Sequence, residues 1–185
     1  MERQKKQWIG LLVFVVALGV AFFSLRAWGS RQKEQEEAKK EAETITVASL
    51  DTEQITGFSY RTEGQELSFE KEGDTWYYSG DKSIPLVQTM ITTMLGNLSD
   101  VTADQQITEP EDIGEYGFSE PSNVITVRLG QEELVFTIGM QNAITGQYYL
   151  MASGDENVYL TDGQLSSAFV QSIEDLTEEP EEEQK

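Results

Sequence analysis

The feature that most narrows what this chain can become is Trp8–Leu25, WIGLLVFVVALGVAFFSL, a run of 18 residues without a charge. As a helix rising ~1.5 Å per residue it spans about 27 Å, close to the roughly 30 Å of hydrocarbon in a bilayer. Trp8 and Trp28 stand near its two ends, where indole rings favour the membrane–water boundary. Arg3, Lys5 and Lys6 precede the run, and Arg26, Arg31 and Lys33 follow it, so basic residues alone do not orient it. A hydrophobic segment in this position ordinarily leads the following domain outward. The reading is therefore a single-pass protein of the cell membrane, with a cytoplasmic tail over 1–7, a membrane helix over 8–28 and an extracytoplasmic remainder. The competing reading is a cleaved signal peptide, with Ala27 and Gly29 as the small residues of a cleavage site. Against it, the apolar run exceeds the usual ~7–15 residues and Arg26 intrudes at the cleavage region.

Beyond the run the chain is strongly acidic. It carries 33 acidic and 13 basic residues, and only Arg61, Lys71, Lys82, Arg128 and Lys185 face the 27 carboxylates that follow Glu43. Such a surface repels nucleic-acid phosphates and anionic lipid headgroups, which excludes nucleic acid as a partner. Its plainest role is solubility through self-repulsion; a basic protein partner or bound divalent cations are the alternatives. Residues 29–43 include RQKEQEEAKKEAE, rich in helix formers but without an apolar stripe, and predict a charged helical stalk. Thr177–Lys185, TEEPEEEQK, is too polar to pack and predicts a disordered acidic tail.

Between these, 44–176 predicts one α+β domain written as two similar units, about 50–98 and 122–176, joined by 99–121. In the first, Ile55–Tyr60, Glu66–Lys71 and Thr75–Tyr78 alternate apolar and polar residues as half-buried strands do. Gly64 and Gly73-Asp74 punctuate them as hairpin turns. Val87, Met90, Ile91, Met94, Leu95 and Leu98 then line one helix face, with Ser83 as the expected N-cap and Pro85 in the first turn. In the second unit Asn123–Leu129, Glu133–Ile138, Gln147–Met151 and Asn157–Leu160 predict strands. A helix carrying Leu165, Phe169, Ile173 and Leu176 follows, capped by Thr161 with Gln164. The echo of Glu66-Leu67-Ser68-Phe69 in Glu133-Leu134-Val135-Phe136 points to duplication, with two antiparallel sheets each backed by a helix. In the joining segment Thr108-Glu109-Pro110-Glu111 has capping-box spacing, predicting a short helix to Tyr116 that Gly117 ends.

The chain contains no histidine and no cysteine, which removes Ser–His, Cys–His and His-ligated metal chemistry. Paired carboxylates remain, as in Glu111-Asp112 and Asp155-Glu156, but adjacency among so many acids carries little information, and no catalytic residue is assigned. Asp155, Glu156 and Asn157 form the best candidate calcium loop, since hard cations take clustered oxygens; they lack EF-hand spacing, and a plain turn explains them. No phosphate-cradling glycine loop occurs, and no cofactor is expected. Trp76, Tyr77 and Tyr78, with Tyr148 and Tyr149, offer a binding platform or simple core packing. Strand alternation puts Trp76 and Tyr78 inward and Tyr77 outward.

The tract Asp112-Ile113-Gly114-Glu115-Tyr116-Gly117-Phe118-Ser119-Glu120-Pro121 resembles the D-x-x-x-Y-G-L-x-x-P signature of the bacterial DUF4340 domain. Trp76, Pro85, Gly139, Tyr148 and Tyr159 stand where that family's order of elements has its other marks, and the resemblance runs from about Leu50 to Leu176. Phe118 replaces the usual Leu, and Pro85-Leu86-Val87 stands where P-A-D is common. The resemblance carries no catalytic residues. It implies an envelope-facing, membrane-anchored domain, often encoded beside ABC transporters of the gliding-associated type. Residues and resemblance together predict an accessory module that binds a membrane or envelope protein, such as a transporter subunit, without catalysis. The alternatives are a small-ligand or calcium receptor domain and, further off, a carboxylate-based hydrolase.

Overall fold

A computed structural model of the chain describes residues 44–178. The expected membrane helix, the stalk and residues 179–185 of the expected tail lie outside the described residues. Among the described residues no helix is long and apolar enough to cross a membrane.

The domain is mainly β. Strands β1 (Ile45–Ala48), β2 (Ile55–Thr62), β3 (Gln65–Glu72) and β4 (Thr75–Tyr78) precede helix α1 (Gln88–Gly96). Strands β5 (Val101–Ala103) and β6 (Gln105–Ile107) follow, then a 3-10 turn over Ile113–Tyr116. The chain continues through β7 (Asn123–Leu129), β8 (Glu132–Gln141), β9 (Tyr148–Ala152) and β10 (Val158–Thr161) to helix α2 (Gln164–Ala168). β2–β3 turns on Glu63 and Gly64, both at positive φ, between paired Thr62 and Gln65. That is the primed turn whose twist matches its strands. β3–β4 turns at Gly73-Asp74, as expected.

The two expected sheets are one. Eight strands pair in the order β4-β3-β2-β7-β8-β9-β10-β6, and β1 with β5 makes a separate two-stranded sheet. The junction is β2 against β7, with Phe58 opposite Val127 and Ser59 opposite Thr126. Left apart, the two units would each expose the main-chain groups of a strand edge; paired, β2 and β7 satisfy both. The inner strands mirror one another about that junction, with β2-β3-β4 on one side and β7-β8-β9, extended by β10 and β6, on the other. β3 and β8, which carry the Leu-x-Phe echo, flank β2 and β7 on either side.

One face of the sheet holds the core. Phe58, Tyr60, Leu67, Phe69, Ile125, Val127, Phe136, Ile138 and Leu150 are buried, and Ile91, Leu95, Leu98, Phe169 and Leu176 close over them in a single cluster. Phe58 stacks on Phe69 at 4.7 Å and meets Trp76 edge-on at 5.2 Å, and Phe169 meets Tyr60 edge-on at 5.6 Å. Trp76 is buried, and Tyr78 packs on Phe69, while Tyr77 takes the opposite face.

Both helix starts differ from expectation, for non-local reasons. Ser83 does not cap α1; its N–H and hydroxyl both donate to Asp81. Leu86 instead bridges to Thr177, and the Val87 N–H donates to the Leu176 carbonyl at 2.9 Å, holding the chain extended until Gln88. That pairing carries order through Glu178, whose N–H donates to the Pro85 carbonyl, so Thr177 and Glu178 belong to the domain and not to a free tail. Thr161 is a strand residue and not a cap; Gly163, left-handed at φ 84°, starts α2.

The predicted second helix through Leu176 stops at Ala168. Three side chains from the sheet take the carbonyls it would need. Asn123 Nδ2 donates to Phe169 O, the Thr62 hydroxyl to Val170 O and the Tyr60 hydroxyl to Gln171 O, each at 2.7 Å. Burial, with a smaller contribution from the charge of Asp175, pushes the Tyr60 phenol well above its ordinary value, so it stays a donor.

Candidate functional site

An open groove of about 560 Å³ lies between the two helices. Helix α1 contributes Thr89, Met90, Thr93, Met94 and Asn97; the other wall is Asp162, Gly163, Gln164, Ser167, Ala168 and Gln171. The α1 residues fall at i, i+1, i+4, i+5 and i+8, one continuous face. Sequence periodicity assigns Met90 and Met94 to the core; Met94 is buried, and Met90, partly buried against the same cluster, also borders the groove.

Several of the groove's polar groups are bonded close to home, while the Thr89 and Ser167 hydroxyls and the Gln171 side-chain amide make no side-chain hydrogen bond among the described residues. The Thr93 hydroxyl donates to Thr89 O at 2.8 Å, as i to i−4 hydroxyls do on helices. Asn97 Nδ2 donates to Thr93 O and Met94 O. Both Asp162 oxygens accept from Gln164, one from its N–H and one from its side-chain amide. What these residues turn outward is mostly methyl, methylene and thioether. Methionine fills irregular apolar gaps and adapts to different occupants.

The residues of the DUF4340-like tract sit on the opposite face, and the structure explains their spacing. Asp112 caps the 3-10 turn by accepting from Gly114 N–H at 2.8 Å. The turn therefore begins at Asp112 and not at the Thr108 capping box. Gly117 ends it in the left-handed region, φ 87°, as expected. The turn then hooks over β8 where the β8–β9 register slips between Ile138 and Gln141. A Cβ at Gly139 would fall 2.2 Å from the Tyr116 carbonyl oxygen and 3.1 Å from the Phe118 ring. A Cβ at Gly117 would fall 2.6 Å from the Met140 nitrogen. Each glycine is thus the clearance for the other segment's backbone. Tyr116 meets Tyr149 edge-on at 4.9 Å, and Ser122, just after Pro121, ties to β8 by donating to Ile138 O and Gly139 O. Tyr148, on the other side of β9, packs beside Gly163.

At the far end of α1's strand neighbour, Gln88 closes the open edge of β4. Its side-chain amide accepts from Trp76 N–H at 2.8 Å and donates to Trp76 O at 3.1 Å, standing in for a missing strand. Pro85 lies in the segment leading to it.

The candidate calcium loop is otherwise engaged. Asp155 Oδ1 accepts from Asn157 N–H and Asn157 Nδ2, and Oδ2 accepts from the Tyr159 hydroxyl. These bonds, Tyr159 foremost, hold the Asp155 carboxyl below its ordinary value. Among the described residues no three acidic side chains converge as a metal site would require. Of the basic residues, Lys82 pairs with Glu72 at 2.5 Å and Arg128 with Glu70 at 3.4 Å, both on the polar face of the sheet. No basic residue lines the groove.

No curated protein and no solved structure matches the chain. A family model, described as a domain of unknown function (DUF4340), matches residues 76–180. The match begins at Trp76 and spans α1, the Asp112–Pro121 hook, β7–β10 and α2, more than half of the chain. The chain belongs to the DUF4340 family.

Proposed function

We propose that the chain is a membrane-anchored, extracytoplasmic interaction module, an accessory domain that binds a protein of the membrane or envelope without catalysing a reaction. The observation that carries this reading is the α1–α2 groove: open, lined mostly by apolar atoms, and with the side chains of Thr93, Asn97 and Asp162 already bonded to near neighbours. A small-molecule site usually converges a few free polar groups on its ligand; this groove offers a surface for another apolar surface. The Trp8–Leu25 run supports anchoring, and the excess of carboxylates supports a domain that neither lies on an anionic bilayer nor binds nucleic acid. The mirrored placement of β2–β3–β4 and β7–β8–β9 about the central strand pair, each followed later in the chain by a helix, supports a duplicated unit with β10 added to the second. The family resemblance adds a transporter subunit as the partner to look for first.

The test compares the full chain with a version in which residues 44–185 are deleted and the anchor kept. Both are recovered from membranes with their bound proteins. A partner held by the full chain and absent from the anchor alone is the expected result; equal recovery by both would remove the reading.

A further inference from the structure

We infer that the α1–α2 groove receives one amphipathic helix of a partner protein, laid apolar side down and carrying Lys or Arg along its flanks. This rests on the interaction-module reading and gives its partner a chemistry.

The shape comes from α1. Its lining residues, Thr89 to Asn97, extend over two helical turns, a rise of about 12 Å. A groove of that length between two helices accepts the ridge made by residues i, i+3, i+4 and i+7 of a third. The two walls meet this ridge with Met90 and Met94 on one side and Ala168 on the other. The small residues Gly163, Ser167 and Ala168 let a partner helix come close to α2.

The charge comes from the end near Asn97, where Asp162 lines the groove and Asp100 stands beside it in the adjoining hollow. With no basic residue in the lining and a formal net charge of −20 on the chain, a second copy would be repelled. A helix flanked by cations is drawn in, and its attraction should weaken as salt screens it. The chain's own residues 29–43 have no apolar stripe to offer. A small ligand would find the Thr93, Asn97, Asp162 and Gln164 side chains already bonded, with only the Thr89 and Ser167 hydroxyls and the Gln171 amide left to meet it in a mostly apolar lining.

The test uses the full chain in uncharged nanodiscs, with a photo-crosslinking residue in place of Ser167, within the groove, or of Ile144, fully exposed elsewhere. The probe is a synthetic helical peptide with leucines at i, i+3, i+4 and i+7 and lysines on both flanks; its twin carries glutamates there instead. The basic peptide is expected to crosslink from position 167 and not from 144, the acidic twin from neither. Ala168→Arg, which adds bulk and like charge at the groove wall, is expected to lower the crosslink yield roughly tenfold, the size of a lost interface anchor. Equal yields from 167 and 144, equal yields of the two peptides, no crosslink at all, or a tightly held small molecule that blocks the peptide would each overturn the inference. The same two positions probed in native membranes separate the claims. A partner crosslinked only from 144 leaves the interaction module standing without this groove, and one crosslinked from 167 through a segment that is not a basic helix leaves the groove but overturns the occupant.

Discussion

Replacing Asn123 by Ala should loosen the wall of the groove and the fold together. Asn123 is only 4% exposed. Its Oδ1 accepts from Arg61 N–H at 3.0 Å and its Nδ2 donates to Phe169 O at 2.7 Å. One side chain therefore ties the β2 backbone to the end of α2. Removing it strands a main-chain donor and a main-chain acceptor, each costing about 1–3 kcal/mol when buried. The expected loss is about 2–6 kcal/mol, a large part of the ~5–15 kcal/mol that holds a typical domain. With a urea dependence of about 2 kcal/mol per molar, the unfolding midpoint should fall by roughly 1–3 M. Circular dichroism of the sheet is the assay, because Trp8 and Trp28 complicate fluorescence. Asn123→Asp adds a sharper readout. The introduced carboxylate would lie buried against the Phe169 carbonyl, which raises its pKa in the folded state. Stability relative to the parent should then be greatest at acid pH, where the group is a neutral donor, and fall as pH rises from the ordinary aspartate value through the raised one. A midpoint for Asn123→Ala within about 0.3 M of the parent, or an Asn123→Asp variant whose stability relative to the parent does not change with pH, would refute the reasoning.

Further outcomes follow from other contacts. Gly139→Ala drives a Cβ to 2.2 Å from Tyr116 O; about 1–3 kcal/mol of stability should be lost, with the NMR contact between the Tyr116 and Tyr149 rings weakened, and an unchanged contact would contradict the hook. Gln88→Ala bares the Trp76 N–H and C=O on the β4 edge, so light scattering should show concentration-dependent association absent from the parent. Asp155 has a depressed pKa in the folded state, set first by the Tyr159 hydroxyl. Its contribution is present above the ordinary aspartate value near 3.8 and is lost as pH falls through the depressed one. The stability advantage of the parent over Asp155→Asn should accordingly shrink with acidification, read by thermal melts across that range.

How much of this was legible in the sequence depended on distance along the chain. Strands with two or more alternating apolar residues, such as Leu67/Phe69 in β3 and Ile125/Val127 in β7, announce themselves, because period two is a local property. The end of the 3-10 turn was legible through Gly117, whose left-handed φ stops it, while the turn's passage over β8 was not. The three-residue strands β5 and β6 were not, since neither is long enough to show a period. Nor was the joining of the two expected sheets, because which edge meets which is decided by pairing β2 with a strand about 70 residues away. The early end of α2 was hidden for the same reason. Leu165, Phe169, Ile173 and Leu176 keep helical spacing, yet Tyr60, Thr62 and Asn123 take the carbonyls that a longer helix would use. The groove followed neither from spacing nor from composition. Met90 and Met94 read as one core stripe, and only the placement of α2 leaves Met90 facing an open channel. The signature's Gly139 looked like any strand glycine until the Tyr116 carbonyl was placed against it.

The chain's lack of cysteine makes one measurement especially direct. Single cysteines at Ile144, which is 95% exposed, and at Ser167 in the groove can be labelled in intact cells with a membrane-impermeant maleimide. A domain held on the outer face with its groove occupied, as proposed, predicts rapid labelling at 144 and slow labelling at 167 that quickens once detergent strips the occupant. Equal rates at both positions in intact cells would mean an empty groove, and no labelling at either until the cells are broken would place the domain on the wrong side of the membrane.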